Sequence, residues 1–239
     1  MTARVQAKIC GIRSEADLVD ALDAGADAVG FISGVTHVSE DELSPEVAEH
    51  LTRRARELST TVTRVLVTHL TDSVEILELA DAIGVDRIQV HGLDVDDETL
   101  QRVCAGSRGR EVVRAVHVTD IKALEAGINT ATEAAASGCF AVLLDTRTAD
   151  RLGGTGLTHD WTISSKIAEA IAGTPAKVML AGGLDPKNVA EAIATVRPHS
   201  VDVNTGVKGS RIGTGSKDRV KCAAFVQTAH SFRYDEPLT

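Results

Sequence analysis

The chain has 239 residues, and a repeating α/β pattern of this length commonly forms a single domain. Hydrophobic residues make up 43% of it and aromatics only 3%, so the expected core is Val, Ile, Leu and Ala. A net charge of −9 argues against nucleic acid or an anionic membrane as the main partner. No apolar run reaches membrane-spanning length, and no basic region precedes an apolar leader, so the expected location is the cytoplasm. Cys10, Cys104, Cys139 and Cys222 lie far apart in sequence and form no C-x-x-C pair, which speaks against structural disulfides and a thiolate zinc site.

The first strand is expected in "RVQAKIC", followed by a helix in "SEADLVDALDAGA". The run "DAVGFI" then leads into the helical "SPEVAEHLTRRARELS", and "TRVLVTHL" into "SVEILELADAIG". Two further strands follow in "DRIQVHG" and "EVVRAVHV". The helix after the second of these has the weakest pattern, because "TDIKALEAGINTATEAAASG" is rich in Ala and Thr. The last three strands are expected in "FAVLLDT", "AKVMLAGG" and "SVDVNTG", with helices in "DWTISSKIAEAIAG", "PKNVAEAIATV" and "SKDRVKCAAFVQTAHSF".

Near-continuous apolar strands alternating with amphipathic helices indicate a parallel sheet covered by helices. Roughly eight such strands are the number that closes a (β/α)8 TIM barrel. With no low-complexity linker and no shift in composition, residues 1–239 are expected to form one barrel domain. A doubly wound open sheet is the competing fold, but "CGIRSE" lacks the glycine-rich turn expected after its first strand.

A barrel places its active residues at the C-terminal strand ends. Those ends carry Cys10, the loop after Ile32, His69, His91, His117, Asp145, Gly182–Gly183 and Asn204–Thr205–Gly206. In "LAGGLDPKNV" two glycines let backbone N–H groups approach an anion, and Asp-Pro is expected to open a helix whose dipole helps. A ligand-free tight turn is the plainer alternative. The neighbouring "VDVNTGVKGS" favours a phosphate site, since the last two strand loops commonly hold one. Asp145 ends an apolar strand, so it faces the mouth or caps its own loop. The following loop is long and rich in Gly and Thr, including Gly153, Gly154, Thr155 and Gly156. Asp202 either orients a ligand hydroxyl or bonds neighbouring side chains, and His91 is either structural or a ligand contact. The histidines and carboxylates show no H-x-x-x-H or comparable spacing, so no metal site is expected.

Taken in order, "KICGI", "ADAVGF", "IQVHG", "LLDT", "GGTG…HDW", "LAGGLDPKNV", "VDVNTGV" and "GSKD…K…F" resemble the phosphoribosylanthranilate isomerase family of tryptophan biosynthesis. The resemblance runs from about residue 5 to about residue 226. It implies a cofactor-free Amadori rearrangement of N-(5-phosphoribosyl)anthranilate, a phosphorylated small-molecule sugar substrate. It also implies Cys10 as general base and Asp145 as general acid. Gly182, Gly183, Thr205 and Gly206 would hold the phosphate, while His91 and Asp202 line the pocket. Those roles require a stabilised thiolate and a protonated carboxyl, against reference pKa values of ~8.5 and ~3.9. Lys8 shares a strand face with Cys10, so it either favours that thiolate or fills a barrel layer.

The match breaks after the second strand. The family's Ser-x-Arg segment, implied to pair with the anthranilate carboxylate, is replaced by "SGVTHVSEDELSPE". That loop carries Glu40, Asp41 and Glu42, which would repel a carboxylate, and Lys208 replaces the family's glutamate after "SGV". Arg13 and Arg147 are the expected substitutes for the missing cation. Two alternatives remain: a paralogous barrel isomerase or lyase for another sugar phosphate, and a non-catalytic phosphate-binding subunit. Retained Cys10 and Asp145 count against the latter. Nothing in the sequence fixes an oligomeric state.

Overall fold

The computed structural model describes residues 3–146, 160–209 and 216–234. Eight parallel strands close on themselves: β1 (Gln6–Ile9), β2 (Ala28–Ile32), β3 (Thr63–Thr68), β4 (Arg87–Val90), β5 (Glu111–Val118), β6 (Ala141–Thr146), β7 (Lys177–Leu180) and β8 (Ser200–Val203). Pairing runs in chain order, and β8 returns to β1. Each strand is followed by a helix: α1 (Glu15–Asp23), α2 (Pro45–Leu58), α3 (Ser73–Ile83), α4 (Asp97–Gly106), α5 (Leu124–Ala136), α6 (Trp161–Ile171), α7 (Val189–Val196) and α8 (Arg219–Ser231). The (β/α)8 expectation therefore holds, including the Ala-rich α5. The helix α4 adds an element to those named from the sequence.

The helix starts are set locally. Ser14, Ser44, Asp72, Asp96, Asp160 and Asp218 each accept a backbone N–H of the first turn with their side chains, satisfying donors that have no partner inside the helix. The main core lies between the strands and the helices, where Leu18, Phe31, Leu66, Ile88, Leu144, Ile193 and Phe225 are fully buried. The barrel interior is partly polar, because Lys8, Arg87, Gln89 and Asp202 project into it from strands buried on both faces. An antiparallel ribbon, Ala3–Arg4 with Arg233–Tyr234, lies at the chain's two ends. All four cysteines are free thiols. Although remote in sequence, Cys104 and Cys139 bring their sulfurs within 3.8 Å.

Strand register positions the chemistry. It sets Lys8 directly beside Asp202 and His117 directly beside Asp145. It also places Gly30 level with Cys10, where a Cβ would lie 2.8 Å from the Cys10 sulfur and 3.1 Å from Lys8 Cε. Glycine there makes room for both side chains in one layer. Gly30→Ala overpacks that layer, at a cost of roughly 1–3 kcal/mol. For a chain of this size the melting temperature should fall by about 2–10 °C, with a parallel loss of kcat/KM. Unchanged melting and activity would show that the layer has slack.

Candidate active site

The strand ends open on one cavity, and Cys10, Asp145, His91, Asp202, Gly182, Gly183 and Thr205 all line it. Gly206 sits in the one-turn 3-10 helix Thr205–Val207 and packs against Leu184 and Asp185, so the two glycine-bearing turns touch. Gly182 has φ +84°, and a Cβ there would fall 2.2 Å from the backbone nitrogen of Thr146. Only glycine fits that approach. The expected helix start is corrected: Asp185-Pro186 does not open α7, which begins at Val189. The Asp185 carboxylate accepts the N–H groups of Lys187 and Asn188, and Asn188 donates to the Gly183 carbonyl, closing an extra turn first. The glycine turn borders the cavity instead of the helix end.

Cys10 follows β1, with its N–H donated to the Val203 carbonyl at 2.8 Å, and only 6% of its surface is exposed. Burial pushes its thiol up to about 11, with Asp202 and Asp41 adding to the rise while Lys8 and Lys217 oppose it. Lys8, whose ammonium meets Asp202 Oδ2 and Gln89 Oε1 at 2.8 Å each, favours the thiolate, but burial of the sulfur outweighs it. It is a barrel-layer lysine that also touches the field of Cys10.

Asp145 also departs from expectation. Burial raises its carboxyl pKa, but the hydrogen bond from His91, the charges of His91 and His117, and the Thr146 N–H together bring it below the ordinary carboxylate value. His91 Nε2 lies 3.2 Å from Asp145 Oδ2. The ligand-free site thus rests with a thiol and a carboxylate, the reverse of the forms needed for base and acid.

Four imidazoles run along the mouth edge to face. The centroid distances are 4.8 Å for His37–His69, 5.1 Å for His69–His91 and 4.9 Å for His91–His117. Burial and neighbouring imidazolium charge push His69 down to about 3 and His117 down to about 4, so both are neutral at pH 7. His91, His117 and Asp145 each bring one possible ligand atom within 4.8 Å of the others. Sequence spacing concealed this trio because it comes from three strand ends. Its carboxylate, however, is already held by the His91 ring N–H.

The loop after β2 is less repulsive than its sequence implied. Asp41 is bound by Lys208 Nζ at 2.8 and 2.9 Å and by Asn204 Nδ2 at 2.9 Å. Arg13 lies 3.8 Å from the Asp41 carboxylate and donates to the Glu40 carbonyl at 2.7 Å. Those contacts tie it to the loop after β2, and it does not line the cavity among the described residues. Arg147 and the segment Gly153–Gly156 lie outside the described residues. Asp202 uses Oδ2 for Lys8, while its Oδ1 is buried without a partner and faces the cavity layer. Sequence reading passed over His37, Ser39 and Gln89, all of which line the cavity. For Gln89 the signal was available, as a polar side chain inside the apolar run "RIQV".

A family model for N-(5'phosphoribosyl)anthranilate (PRA) isomerase matches residues 7–228. The chain belongs to the PRA isomerase family. It is 36% identical over 224 residues to N-(5'-phosphoribosyl)anthranilate isomerase 2 of Methanosarcina mazei, covering 93% of this chain and 92% of that one. The crystal structure of phosphoribosyl anthranilate isomerase from Thermotoga maritima superposes with a TM-score of 0.77 at 31% identity, covering 95% of this chain and all of that one. A second PRA isomerase structure, bound to reduced 1-(O-carboxyphenylamino)-1-deoxyribulose 5-phosphate, gives a TM-score of 0.74 at 29% identity, with 95% and 100% covered.

Because the thiol is protonated far above neutrality, alkylation of Cys10 by iodoacetamide should rise about tenfold per pH unit from pH 7. The rise should level off near 11, the value to which burial pushes the thiol. Peptide mass mapping separates Cys10 from the other thiols; a midpoint near 8.5 would mean that burial does not govern it.

Proposed function

We propose that this chain catalyses the PRA isomerase reaction, with Asp145 as general acid and Cys10 as general base. Family membership supports the reaction class. The single observation supporting the residue roles is that Cys10 and Asp145 line one cavity together with the Gly182–Gly183 turn and Thr205. Asp145 gives its proton to the furanose ring oxygen as the C1–O bond breaks and the amine lone pair forms an iminium. The Cys10 thiolate removes the C2 proton, and the C2–H electrons flow toward C1 to give an enolamine. Proton return at C1 and proton loss from the C2 hydroxyl leave the ketone. The phosphate is received by backbone groups of the Gly182–Gly183 and Thr205–Gly206 turns. The unpartnered Asp202 Oδ1 accepts a ribose hydroxyl.

The aromatic carboxylate is assigned to His37 and His69 in place of a loop arginine. Both rings line the cavity on the side of the β2 loop, and each has a buried Nδ1 without a partner. An arriving anion would raise His69 from its low value, and a ring N–H at either Nδ1 would donate to the carboxylate.

Expression in a tryptophan auxotroph lacking this isomerase tests the reaction. The intact chain should restore growth, whereas Cys10→Ala and Asp145→Asn should not, each lowering kcat by about 10²–10⁴-fold. Failure of the folded, expressed wild type to rescue growth would reject the proposal. For the carboxylate end, His69→Ala should raise KM by about 10–100-fold, the worth of a charge-assisted hydrogen bond, with kcat little changed. Arg13→Ala should change KM less than this; the reverse order would return the role to Arg13.

A further inference from the structure

Beneath Asp145, the barrel interior holds a chain of buried polar groups that neither the acid nor the base role uses. Lys8, 1% exposed, donates to Asp202 Oδ2 and to Gln89 Oε1 at 2.8 Å each. Gln89, 2% exposed, meets His91 Nδ1 with its amide nitrogen at 3.2 Å. His91 Nε2 in turn meets Asp145. The chain crosses from β8 and β1 through β4 to β6.

Each link admits one polarity. An ammonium has only donors, so the Gln89 atom facing Lys8 is the carbonyl oxygen. The far side of the same amide is then an NH2, which only donates, and His91 Nδ1 must accept. A neutral imidazole that accepts at Nδ1 carries its hydrogen on Nε2, here facing the Asp145 carboxylate. The other ring partners do not contest this. His117 spends its Nε2 on the His91 carbonyl, and His69 packs edge to face. Both of those rings are neutral, for the reasons of burial and neighbouring charge given above. Cys10 borders Lys8 at the chain's other end.

We propose that Lys8 and Gln89 are positioning residues that lock His91 in its Nε2–H tautomer, so that His91 donates to Asp145 and does not compete for the proton Asp145 delivers. In the opposite tautomer a bare Nε2 lone pair would face Asp145 and accept the hydrogen of its protonated form, turning the acid inward. With the N–H in place, any proton gained by Asp145 is left facing the ligand. The inference rests on the general-acid reading of Asp145.

Histidine-selective 15N NMR of the intact protein reads the tautomer directly, with loss of a resonance in His91→Asn giving its assignment. At pH 7 the wild-type His91 should show a bare Nδ1 and an N–H at Nε2. In Gln89→Glu the new carboxylate can only accept, so Nδ1 must carry a hydrogen. The neutral ring then turns a bare Nε2 to Asp145, and a ring that keeps both hydrogens is an imidazolium that holds Asp145 ionised. There kcat should fall about 10–100-fold while KM stays within about twofold. Gln89→Met fills similar space without a strong donor or acceptor and should give mixed tautomers with an intermediate kcat; it also covers the case in which a buried carboxylate prevents folding. A wild-type ring protonated at Nδ1, or variants with the wild-type kcat, would overturn the lock. Because the tautomer is read without substrate, an inactive protein with the expected tautomer counts against the isomerase reading and not against the lock.

Discussion

The mouth of this barrel depends on a charge kept inside it, the ammonium of Lys8. Burial works against that charge, but Asp202 beside it in register, and Cys10, more than compensate, so the lysine pKa is raised. A buried ion whose partner is removed typically costs about 3–5 kcal/mol, so neither residue of the pair can be changed alone without penalty. The ammonium in turn orients the Gln89 amide, and its stem needs the space left by Gly30. Strand pairing, side-chain polarity and a missing Cβ therefore converge on one interior layer. That layer lies directly beneath the groups assigned to catalysis.

The resting proton distribution has a simple relation to the proposed chemistry. A thiol with a carboxylate and a thiolate with a carboxylic acid carry the same total charge and the same number of protons. Passing from one to the other needs a proton to move within the site and none to be taken from solvent. Four imidazoles lie in a row beside that path, and the Asp145 carboxylate is hydrogen-bonded to one of them. An acidic chain that must accept a phosphorylated, carboxylated ligand also keeps its loop acids in check, as the Asp41 contacts with Lys208 and Asn204 show. The loop after β2 is thereby fastened to the loop after β8.

Much of this was legible in the sequence because barrel strands have a period and an end. Alternation of apolar runs with amphipathic segments carried the eight strands, and reading the residue after each run brought Cys10, Asp145, His91 and the glycine turns to one rim. What escaped depends on contacts between strands remote in sequence. No local pattern relates Asp41 to Lys208, 167 residues apart, or Lys8 to Gln89, 81 apart. The directions of the Cys10 and Asp145 shifts likewise reflect burial and neighbours that composition does not reveal. The α7 boundary was misplaced for a local reason: Asp185 bonds two following N–H groups and builds a turn before the helix can begin.

The ribbon joining Ala3–Arg4 to Arg233–Tyr234 sits on the side where β1 begins, away from the rim at which the strands finish. Ala3 and Tyr234 thus share the barrel's underside. A surface linker or engineered tether attached at Ala3 or Tyr234 would hang below the molecule and leave its opening clear. For the same reason, a short bridge from Tyr234 to Ala3 would let the chain be reopened at a helix–strand turn on that underside with little disturbance to the rim.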